Sequence, residues 1–566
     1  MKIFLRFFSC FLLLAIIISS NKLCAQSAFV PLGTITYNYL DRLEIKSGVF
    51  LTDIHTSVKP YRRDNIVNAI HQFDTIYPLV HFTDLDGKIL EYLDNDNSEY
   101  IDSDTINSNN PLYYFYRTKA DFYSVKSKDF MMRINPVIQF GIGADTFSND
   151  GSRFINTRGV EARGWVSQKV AFYVYIGENQ ARYTKYVQNY TNKIGAVPGE
   201  GYYKNFKETG VDFLTTRGYI DFTAAKHINI TFGRDKNFFG NGYRSLQLSD
   251  FSEDYLFLRF KTQIWKLEYT NVFADLTSDF LRGGDRLLPK KYAAFHHLSL
   301  NASKFLNVGL FEGVVFHRKD AFELQYLVPI IFYRGVEQGL GSPDNAFIGA
   351  DLKINFLRAF SLYSQLMVDD MNITALRNGT GYWANKLGSQ IGIKYIDAFT
   401  VENLDLQIEG NWIRPYTYTH YDSVSNFTHY NQPLAHPLGA NFKEMIVIAR
   451  FQPTANFWIT AKWFDIMMGQ DSLKGISSTT NFGGNIQLVA TEPTVNSLYG
   501  NVIGQGVGTH LTIGELIFTY MLKHNFFIDA GLTYREAFSK VSRYNQGVFY
   551  WYASLRLNIP AKLMEF

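Results

Sequence analysis

The feature that most constrains this chain is a strict alternation of apolar and polar residues in many short segments. Residues 404–409 read Leu-Asp-Leu-Gln-Ile-Glu, and in a β-strand this spacing puts the apolar side chains on one face and the polar ones on the other. Similar alternation occurs at 227–232, 265–269 and 526–534. Such strands cannot lie in a sheet that is buried on both faces. The pattern, found between residues 112 and 559, predicts antiparallel strands with one apolar and one polar face.

Short and long connections alternate between these predicted strands, which is typical of membrane β-barrels with short turns at one end and longer loops at the other. The predicted short connections are 124–129, 167–169, 224–226, 261–263, 301–304, 357–359, 398–403, 453–456 and 522–525. The predicted long connections are 143–156, 179–210, 235–254, 274–290, 317–344, 372–384, 414–441, 466–507 and 536–546. The segments number about nineteen, whereas bacterial barrels have even strand numbers. We therefore predict about eighteen strands; either residues 112–123 do not span, or a strand lies in the first hundred residues.

The first 25 residues have the pattern of a secretory signal peptide. Lys2 and Arg6 precede an apolar run at 7–18, and Leu-Cys-Ala follows at 23–25. We expect cleavage after this segment and export through the inner membrane. Both cysteines, Cys10 and Cys24, lie inside it, so the exported chain is expected to have no disulfide and no cysteine metal site.

Residues 26–110 differ from the rest of the chain because their apolar residues recur with helical spacing. The three stripes are Tyr39-Leu40-Leu43, Ile66-Ile70-Phe73 and Leu85-Ile89-Leu93. Thr83 and Asp86 have the spacing of a helix N-cap. Helices this short need a larger partner to bury their apolar faces. The domain prediction is a signal peptide at 1–25, a helical cap and linker at 26–110, and a barrel at 111–566.

Composition agrees with this fold class. Aromatic residues make up 16% of the chain, 42 residues are glycine, and no helix-length apolar run follows residue 26. Only helices and closed barrels satisfy every backbone group in lipid. We predict an all-β membrane protein, an antiparallel outer-membrane β-barrel with a small N-terminal helical bundle in the periplasm, surrounded by outer-membrane lipid of a Gram-negative cell. The net charge of +3 gives no reason to expect nucleic acid as a partner.

The most distinctive stretch is the glycine-rich segment 233–246. Its glycines could suggest a phosphate loop, but the Gly-Lys-Ser/Thr ending and the following helix are absent from the sequence. We interpret it as a structural loop whose glycines allow tight turns and whose Arg234, Asp235 and Arg244 are paired inside the barrel mouth. The residues of this predicted structural motif are Arg234, Asp235, Gly240, Gly242, Tyr243 and Arg244.

This segment resembles the outer-membrane capsule-assembly (Wzi-like) family, as do Phe-Glu-Leu-Gln-Tyr-Leu-Val-Pro-Ile at 322–330, Gly-Ser-Pro-Asp-Asn-Ala at 341–346 and Tyr-Leu-Asp-Arg-Leu at 39–43. The similarity extends over most of the exported chain and is greatest to the Bacteroidetes branch, which includes gliding-motility-associated proteins. The resemblance implies an eighteen-stranded barrel with a periplasmic helical bundle. It also implies a role in holding surface polysaccharide outside the cell.

Two predicted surface loops are rich in tyrosine, and aromatic rings beside amides and carboxylates can stack on and hydrogen-bond to sugars. The candidate glycan-binding residues are Tyr416, Tyr418, His420, Tyr421, Tyr202 and Tyr203. The alternative is that these side chains belong to the aromatic girdle and to ordinary loop packing.

Catalytic motifs are weak in this sequence. The pairs His296-His297, Asp369-Asp370 and His420 with Asp422 lack a nucleophile elbow or a zinc motif around them, and adjacent His296 and His297 would face opposite sides of a strand. We predict a non-enzymatic, monomeric protein without cofactor or metal that attaches or organises surface polysaccharide. The alternatives are a pore or transport barrel, and an accessory to gliding motility and surface adhesion.

Overall fold

The computed structural model describes residues 26–76, 80, 82–101, 115–146, 151–278, 287–319, 321–474, 478–562 and 564–566. Within these residues, eighteen antiparallel strands pair in chain order, and the last strand pairs with the first to close a barrel. The predicted fold class and strand number are therefore confirmed. The signal-peptide prediction at 1–25 lies outside the described residues.

We number the barrel strands in chain order: β1 Phe130–Asp145, β2 Arg153–Val166, β3 Val170–Arg182, β4 Gly210–Ala225, β5 Ile228–Asp235, β6 Tyr255–Ile264, β7 Leu267–Thr277, β8 Lys290–Asn301, β9 Leu306–Phe316, β10 Asn345–Phe356, β11 Phe360–Asp370, β12 Lys386–Tyr395, β13 Leu404–Ile413, β14 Phe442–Thr454, β15 Phe457–Gln470, β16 Val507–Lys523, β17 Phe526–Ser539 and β18 Gln546–Leu557. The helices are α1 Thr36–Ser47, α2 Arg63–Ile76, α3 Asp84–Asp96, α4 Lys185–Ile194, α5 Tyr333–Gly339 and α6 Ile373–Arg377. Short paired segments outside the eighteen strands are Val58–Lys59, Tyr123–Lys126, Lys204–Phe206, Phe238–Phe239, Thr428–His429, Gln432–Pro433, Ser472–Lys474 and Ser478–Thr480.

The connections alternate between short turns at one end of the barrel, the turn end, and longer loops at the other, the loop end. The predicted turns 167–169 and 357–359 and the loops 317–344 and 414–441 match the observed connections. The predicted turn at 261–263 is placed too early, because β6 continues to Ile264 before the chain turns.

The predicted extra segment 112–123 does not span the barrel in its described part, since residues 115–122 form no strand. The strand that follows, Tyr123–Lys126, extends into the predicted turn 124–129 and pairs with the first residues of β1, from Met131 to Ile134. It therefore forms a short ribbon at the turn end, which removes the conflict between the nineteen predicted segments and the even strand number.

The two faces of the strands have the predicted chemistry. In β13, Ile408 is exposed on the outer surface, whereas its neighbours Gln407 and Glu409 are buried in the lumen. In β18, Trp551 is exposed outside and Arg556 is buried inside. The barrel thus presents an apolar outer surface and a polar interior.

The alternating pattern, predicted to reach residue 559, ends two residues earlier in the structure. β18 ends at Leu557, and Asn558 has a φ of 53° that turns the chain into the lumen. Ile559 then packs against an interior cluster that contains Phe29 and Tyr219. Residues 558–562 and 564–566, which we call the inward segment, lie in the lumen and meet α4 from the loop end, where Tyr186 Oη donates to the Met564 carbonyl at 2.8 Å.

The three predicted helical stripes form α1, α2 and α3, which we call the cap. The Thr83 side chain accepts from the Asp86 N–H, and the Asp86 carboxylate accepts from the Thr83 N–H, so α3 begins with a capping box. The apolar faces of the cap bury against each other and against Trp458 and Phe527 of the barrel wall. The cap therefore closes the turn end by packing onto the strands. None of the helices in the described part of the chain is long and apolar enough to cross a bilayer.

One half of the lumen, which we call the packed half, is filled with apolar side chains. Phe239, Leu246 and Leu248 come from the inner loop, residues 236–254, which folds down into the barrel. They pack against the inner faces of β6 to β11 and against residues of loop 414–441 such as Phe427. This half is a continuous core of the kind found inside soluble proteins.

Loop 317–344, which we call the strap, folds back over the outer wall of the barrel. Tyr326 and Tyr333 of the strap cover outward-facing residues of β7 and β9, including Phe273, Val314 and Phe316. The side chain of Ile330 is 84% exposed on the strap's other side. The strap thus replaces part of the sheet as the outermost layer.

Candidate ligand cavity in the barrel lumen

The other half of the lumen contains a cavity of about 610 Å³. Its walls are the inner faces of β1 to β4 and β12 to β18, its floor is the start of the cap, and the inner loop and inward segment reach into it. None of the described residues of β6 to β11 lines it. The volume falls within the range of roughly 300–1,000 Å³ that is usual for small-molecule sites.

The floor of the cavity is built from charged residues of α1. Asp41 accepts from the ammonium groups of Lys353 and Lys394 on the barrel wall, with a distance of 2.9 Å to Lys353 Nζ. Burial alone would raise the pKa of Asp41, but the two ammonium groups outweigh it and hold the pKa well below its usual range. The cap is therefore fixed to β10 and β12 by ionised groups.

Arg42 fixes the same helix to other partners. Its Nε lies 2.9 Å from Asp86 of the cap, and its terminal nitrogens lie 2.7 Å from Asp397 and 2.5 Å from Asp405 at the turn end of the barrel. Burial would lower the pKa of Arg42, yet the three carboxylates raise it, so the guanidinium stays charged. Fork-shaped hydrogen bonding of this kind suits arginine rather than lysine.

The inward segment borders the cavity on the side of the loop end. Glu565 pairs with Lys462 of β15 and accepts from Tyr243 Oη at 2.5 Å. Phe566 packs on Tyr190 of α4 with 4.6 Å between ring centroids. Lys562 pairs with Glu200 at 2.8 Å. Burial would raise the pKa of Glu200, but Lys562, Lys236 and Arg217 together outweigh it and lower the pKa to about 2.

The glycine-rich segment lies deeper than the barrel mouth. The Gly240 N–H donates to the Ser57 carbonyl of the cap region at 2.7 Å, and Gly240 has a φ of 139° that suits only glycine. A Cβ on Gly242 would lie 2.7 Å from the Glu409 carboxylate. The backbone N–H groups of Tyr243 and Arg244 donate to that carboxylate at 2.6 and 3.1 Å. These residues therefore join the cap to the barrel wall.

The three charged residues of this motif are each paired, with partners from different elements. Arg234 lies 2.7 Å from Glu253 at the far end of the inner loop. The Asp235 carboxylate lies 3.8 Å from Arg217 of β4. Arg244 lies 3.6 Å from Glu444 of β14. The structure thus separates Arg234 and Asp235, near the loop end, from Arg244 in the lumen.

Most of the predicted glycan-binding residues are buried in loop packing. Tyr416 Oη donates to the Asn481 carbonyl at 2.9 Å, and Tyr418 Oη donates to the Leu246 carbonyl at 2.7 Å. Tyr203 and His420 are also buried. Burial lowers the pKa of His420 to about 4, so its ring is neutral near pH 7. In this conformation these rings stabilise the loops and present no face to a ligand outside.

Two of the predicted residues do lie on the surface of the loop end. The side chains of Tyr202 and Tyr421 are 51% and 53% exposed. Tyr421 Oη donates to the Pro343 carbonyl at 3.0 Å, which holds its ring in place. Tyr499, which the sequence interpretation missed, is 57% exposed, and its ring centroid lies 5.5 Å from that of Tyr382.

The candidate catalytic pairs are separated or already engaged. His297 faces the lumen and lies 2.7 Å from Asp351, whereas His296 faces outward under the strap beside Glu312. The opposite orientation of the two histidines is as predicted. Asp369 accepts from the Tyr418 N–H at 2.6 Å. His420 accepts from the Asp422 N–H at 3.4 Å. No group of three or more potential metal-ligating side chains occurs among the described residues.

Together the closed sheet, the apolar outer surface and the occupied lumen define a plugged β-barrel of the outer-membrane type. The same fold occurs in Wzi, an outer-membrane protein involved in group 1 capsule assembly in Escherichia coli, which is described as a carbohydrate-binding β-barrel. The two chains are 13% identical with a TM-score of 0.56, and the match covers 95% of this chain and 100% of Wzi.

Other solved barrels match less of the chain. OprD of Pseudomonas aeruginosa is 9% identical with a TM-score of 0.41, covering 75% of this chain and 95% of OprD. OccAB2 of Acinetobacter baumannii is 8% identical with a TM-score of 0.43, covering 75% of this chain and 97% of OccAB2. No family model and no curated protein sequence matches the chain.

Proposed function

We propose that this protein is a non-enzymatic barrel of the Gram-negative outer membrane that attaches or organises polysaccharide at the cell surface. The outer face of the strands carries exposed apolar residues such as Leu310, Ile408 and Trp551, which suits contact with lipid. The match to Wzi, a barrel described as carbohydrate binding, supports the same role for this chain.

The observation that carries the proposal is that the loop end is a folded surface with exposed aromatic rings. Tyr202, Tyr421 and Tyr499 are more than half exposed, although large aromatic residues are usually buried. Tyrosine rings offer a flat apolar face and a hydroxyl, which suits stacking on a sugar ring and bonding to its hydroxyl groups. We infer that these three residues contact the polysaccharide.

The covered turn end of the barrel favours a binding protein over an open pore. The cap covers the turn end, and the inner loop joins the cap through the Val58–Phe239 and Lys59–Phe238 pairs. We expect purified protein in planar bilayers to show no steady open-channel conductance. Steady conductance through the unmodified protein would contradict the proposal and favour the transport alternative.

The decisive test is deletion of the gene followed by anti-glycan staining of whole cells. We expect loss of surface-bound polysaccharide, restored by the unmodified gene and not by a Tyr202→Ala, Tyr421→Ala, Tyr499→Ala triple variant. Phe399→Ala is the matched control, because this ring is 70% exposed at the turn end instead. Unchanged retention of every surface glycan in the deletion strain would overturn the proposal. Impaired spreading of that strain with an intact glycan coat would favour the gliding and adhesion alternative.

A further inference from the structure

Almost every charged side chain that lines the lumen cavity has an opposite charge beside it. Arg556 lies 2.5 Å from Asp529, Arg217 lies 3.0 Å from Asp254, and Arg63 lies 3.0 Å from Asp96. Pairing of this kind is expected, because an uncompensated charge out of bulk water costs several kcal/mol. The exceptions in the cavity wall are therefore informative.

Lys59 and Arg450 are two of these exceptions. Among the described residues, Lys59 has no carboxylate within 4 Å, and its ammonium lies over the Phe238 ring at 4.6 Å and the Tyr37 ring at 5.9 Å. Arg450 has no carboxylate within 4 Å in the described chain either, and its one hydrogen bond goes to Gln407 Oε1 at 3.1 Å. Both side chains are only partly buried, because they border the cavity.

Both cations lie near Lys394, whose ammonium is close enough to repel each of them, and we call this part of the cavity the corner. Gln407, the partner of Arg450, lies directly opposite Lys394 in the register of β12 and β13. Lys394 Nζ donates to the Asn241 carbonyl at 2.9 Å. The positive charge of Lys394 also repels that of Lys59. Asn241 lines the cavity, and its Nδ2 is buried without a hydrogen-bond partner among the described residues.

The acidic groups near this corner do not neutralise it. Asp41 is already shared between Lys353 and Lys394. Asp405 lies opposite Arg450 in the register of β13 and β14, but its carboxylate is already bound by Arg42 at 2.5 Å. Asp250 also lines the cavity, and no basic side chain of the described chain lies within 4 Å of its carboxylate. It attracts the Lys59 ammonium only from a greater distance. Lys236, the third cation without a carboxylate, donates instead to the carbonyls of Gly199 and Asp250 at 2.8 and 3.0 Å.

We propose that this corner binds an anionic group, a carboxylate or a phosphate carried by a sugar, between Lys59, Arg450 and Asn241 Nδ2. Arginine suits such oxygens because its guanidinium can donate two parallel hydrogen bonds. The cavity has room for one or two sugar units beside the group. This site lies in the lumen, apart from the exposed tyrosines at the loop end, and does not depend on the function proposed above.

Burial, followed by the charge of Lys394, lowers the pKa of Lys59 to about 8. A bound anion would relieve this effect, since an opposite charge favours the protonated amine. The low pKa thus agrees with a cation whose counter-charge is a ligand.

The test is equilibrium binding to the purified full-length protein in detergent, measured calorimetrically with galacturonate, inorganic phosphate and galactose as probes. We expect saturable binding of galacturonate or phosphate at one site per chain and no binding of neutral galactose. Binding of phosphate alone identifies a phosphate-bearing ligand, and binding of galacturonate identifies a uronate; both support the site. Failure of both anions to bind, or equal binding of galactose, overturns it.

The variants Lys59→Gln and Arg450→Gln should each weaken anion binding at least tenfold, and Arg450→Lys should retain part of it. Asn241→Asp should abolish binding by placing a carboxylate in the corner. The matched controls are Lys226→Gln and Arg377→Gln, which change exposed cations outside the cavity and should leave binding within twofold. Unchanged affinity in Lys59→Gln, Arg450→Gln and Asn241→Asp would overturn the proposal, whatever the glycan retention of the deletion strain.

Discussion

The two halves of the lumen are enclosed by the same sheet, yet they are built on different principles. The packed half buries apolar side chains of the inner loop against β6 to β11, and Phe239 at its centre is fully buried. The cavity half is open space lined by ion pairs, amides and hydroxyl groups together with apolar side chains such as Trp458 and Ile517. One side of the barrel therefore anchors the inner loop by apolar packing, while the other side keeps polar groups accessible at a cost in stability.

The largest effect is expected from breaking the packed half. Phe239→Ala should lower the free energy of unfolding by about 3 to 5 kcal/mol, because the lost contacts leave a void in a tight core. Ile517→Ala in the cavity wall should lose only about 1 to 2 kcal/mol, since the removed atoms border existing space. Heat-dependent unfolding in detergent, followed on gels, measures both. Equal losses would mean that the two halves are not different in packing.

The next effect concerns the ion pairs between the cap and the cavity half. Arg42→Gln removes the cation that binds Asp405 and leaves Asp86 and Asp397 with Lys46 alone, so it should cost about 3 kcal/mol, as expected for breaking a buried ion pair. Hydrogen exchange of α1 should become faster while that of the inner loop stays slow. Lys88→Gln, which removes an exposed pair with Glu91, is the control and should change neither.

The stability of the loops above the packed half should decrease at low pH because of His429. Burial lowers its pKa to about 3, and its Nδ1 accepts from the Thr277 N–H at 2.9 Å, so the folded state holds the ring neutral. The unfolded ring takes up a proton below about pH 6.5, so stability from this group is lost as the pH falls, by about 2 kcal/mol between pH 7 and 5.

Limited proteolysis of loop 414–441 measures this loss, and His429→Gln is the reference that lacks it. The reference is needed because Glu253 has the opposite effect. Burial, with the nearby Asp254, raises the pKa of Glu253 to about 8, so protonation of this group stabilises the fold as the pH falls toward 4.5. The same pH dependence in both proteins would exclude His429 as the cause.

The smallest effect is expected from a substitution in the cavity half. Lys59→Met should raise the free energy of unfolding by about 1 kcal/mol in the absence of ligand, because an unpaired partly buried cation is replaced by an apolar chain of similar length. Thermal unfolding in detergent checks the sign. A loss of stability would show that Lys59 supports the fold and would remove the argument that it is kept for binding.

The barrel strands and the cap helices can be predicted from the sequence, because each depends on residues that are close together in the chain. Alternation in segments such as 404–409 reports directly which side chain faces lipid and which faces the lumen, and the helical stripes of α1 to α3 are equally local. The strand number is even because Tyr123–Lys126 pairs with the start of β1 and does not span the barrel.

The interior could not be predicted in the same way, because it depends on where each loop folds. Tyr416 and Tyr421 look alike in sequence, yet one is buried in loop packing and the other is exposed. The inward segment was missed, although Pro560 was a usable signal, since proline is rare within a paired strand. Lys59 and Arg450 come from distant parts of the chain, so their corner is visible only after folding.

The strap has a consequence for the order in which the molecule is made. His296 and Glu312 face outward from β8 and β9, and the strap covers them: the Tyr333 ring lies 3.9 Å from the His296 ring, and the Arg334 N–H donates to Glu312 at 3.1 Å. Without that cover, an imidazole and a carboxylate would meet hydrocarbon, where polar side chains are strongly disfavoured.

Insertion of this part of the wall therefore has to be accompanied by the polypeptide between β9 and β10. If the barrel entered the bilayer before the strap docked, the exposed His296 and Glu312 side chains would make insertion energetically unfavourable. Biogenesis of this protein then includes a docking event on the lipid side of the sheet, separate from closure of the seam between β1 and β18.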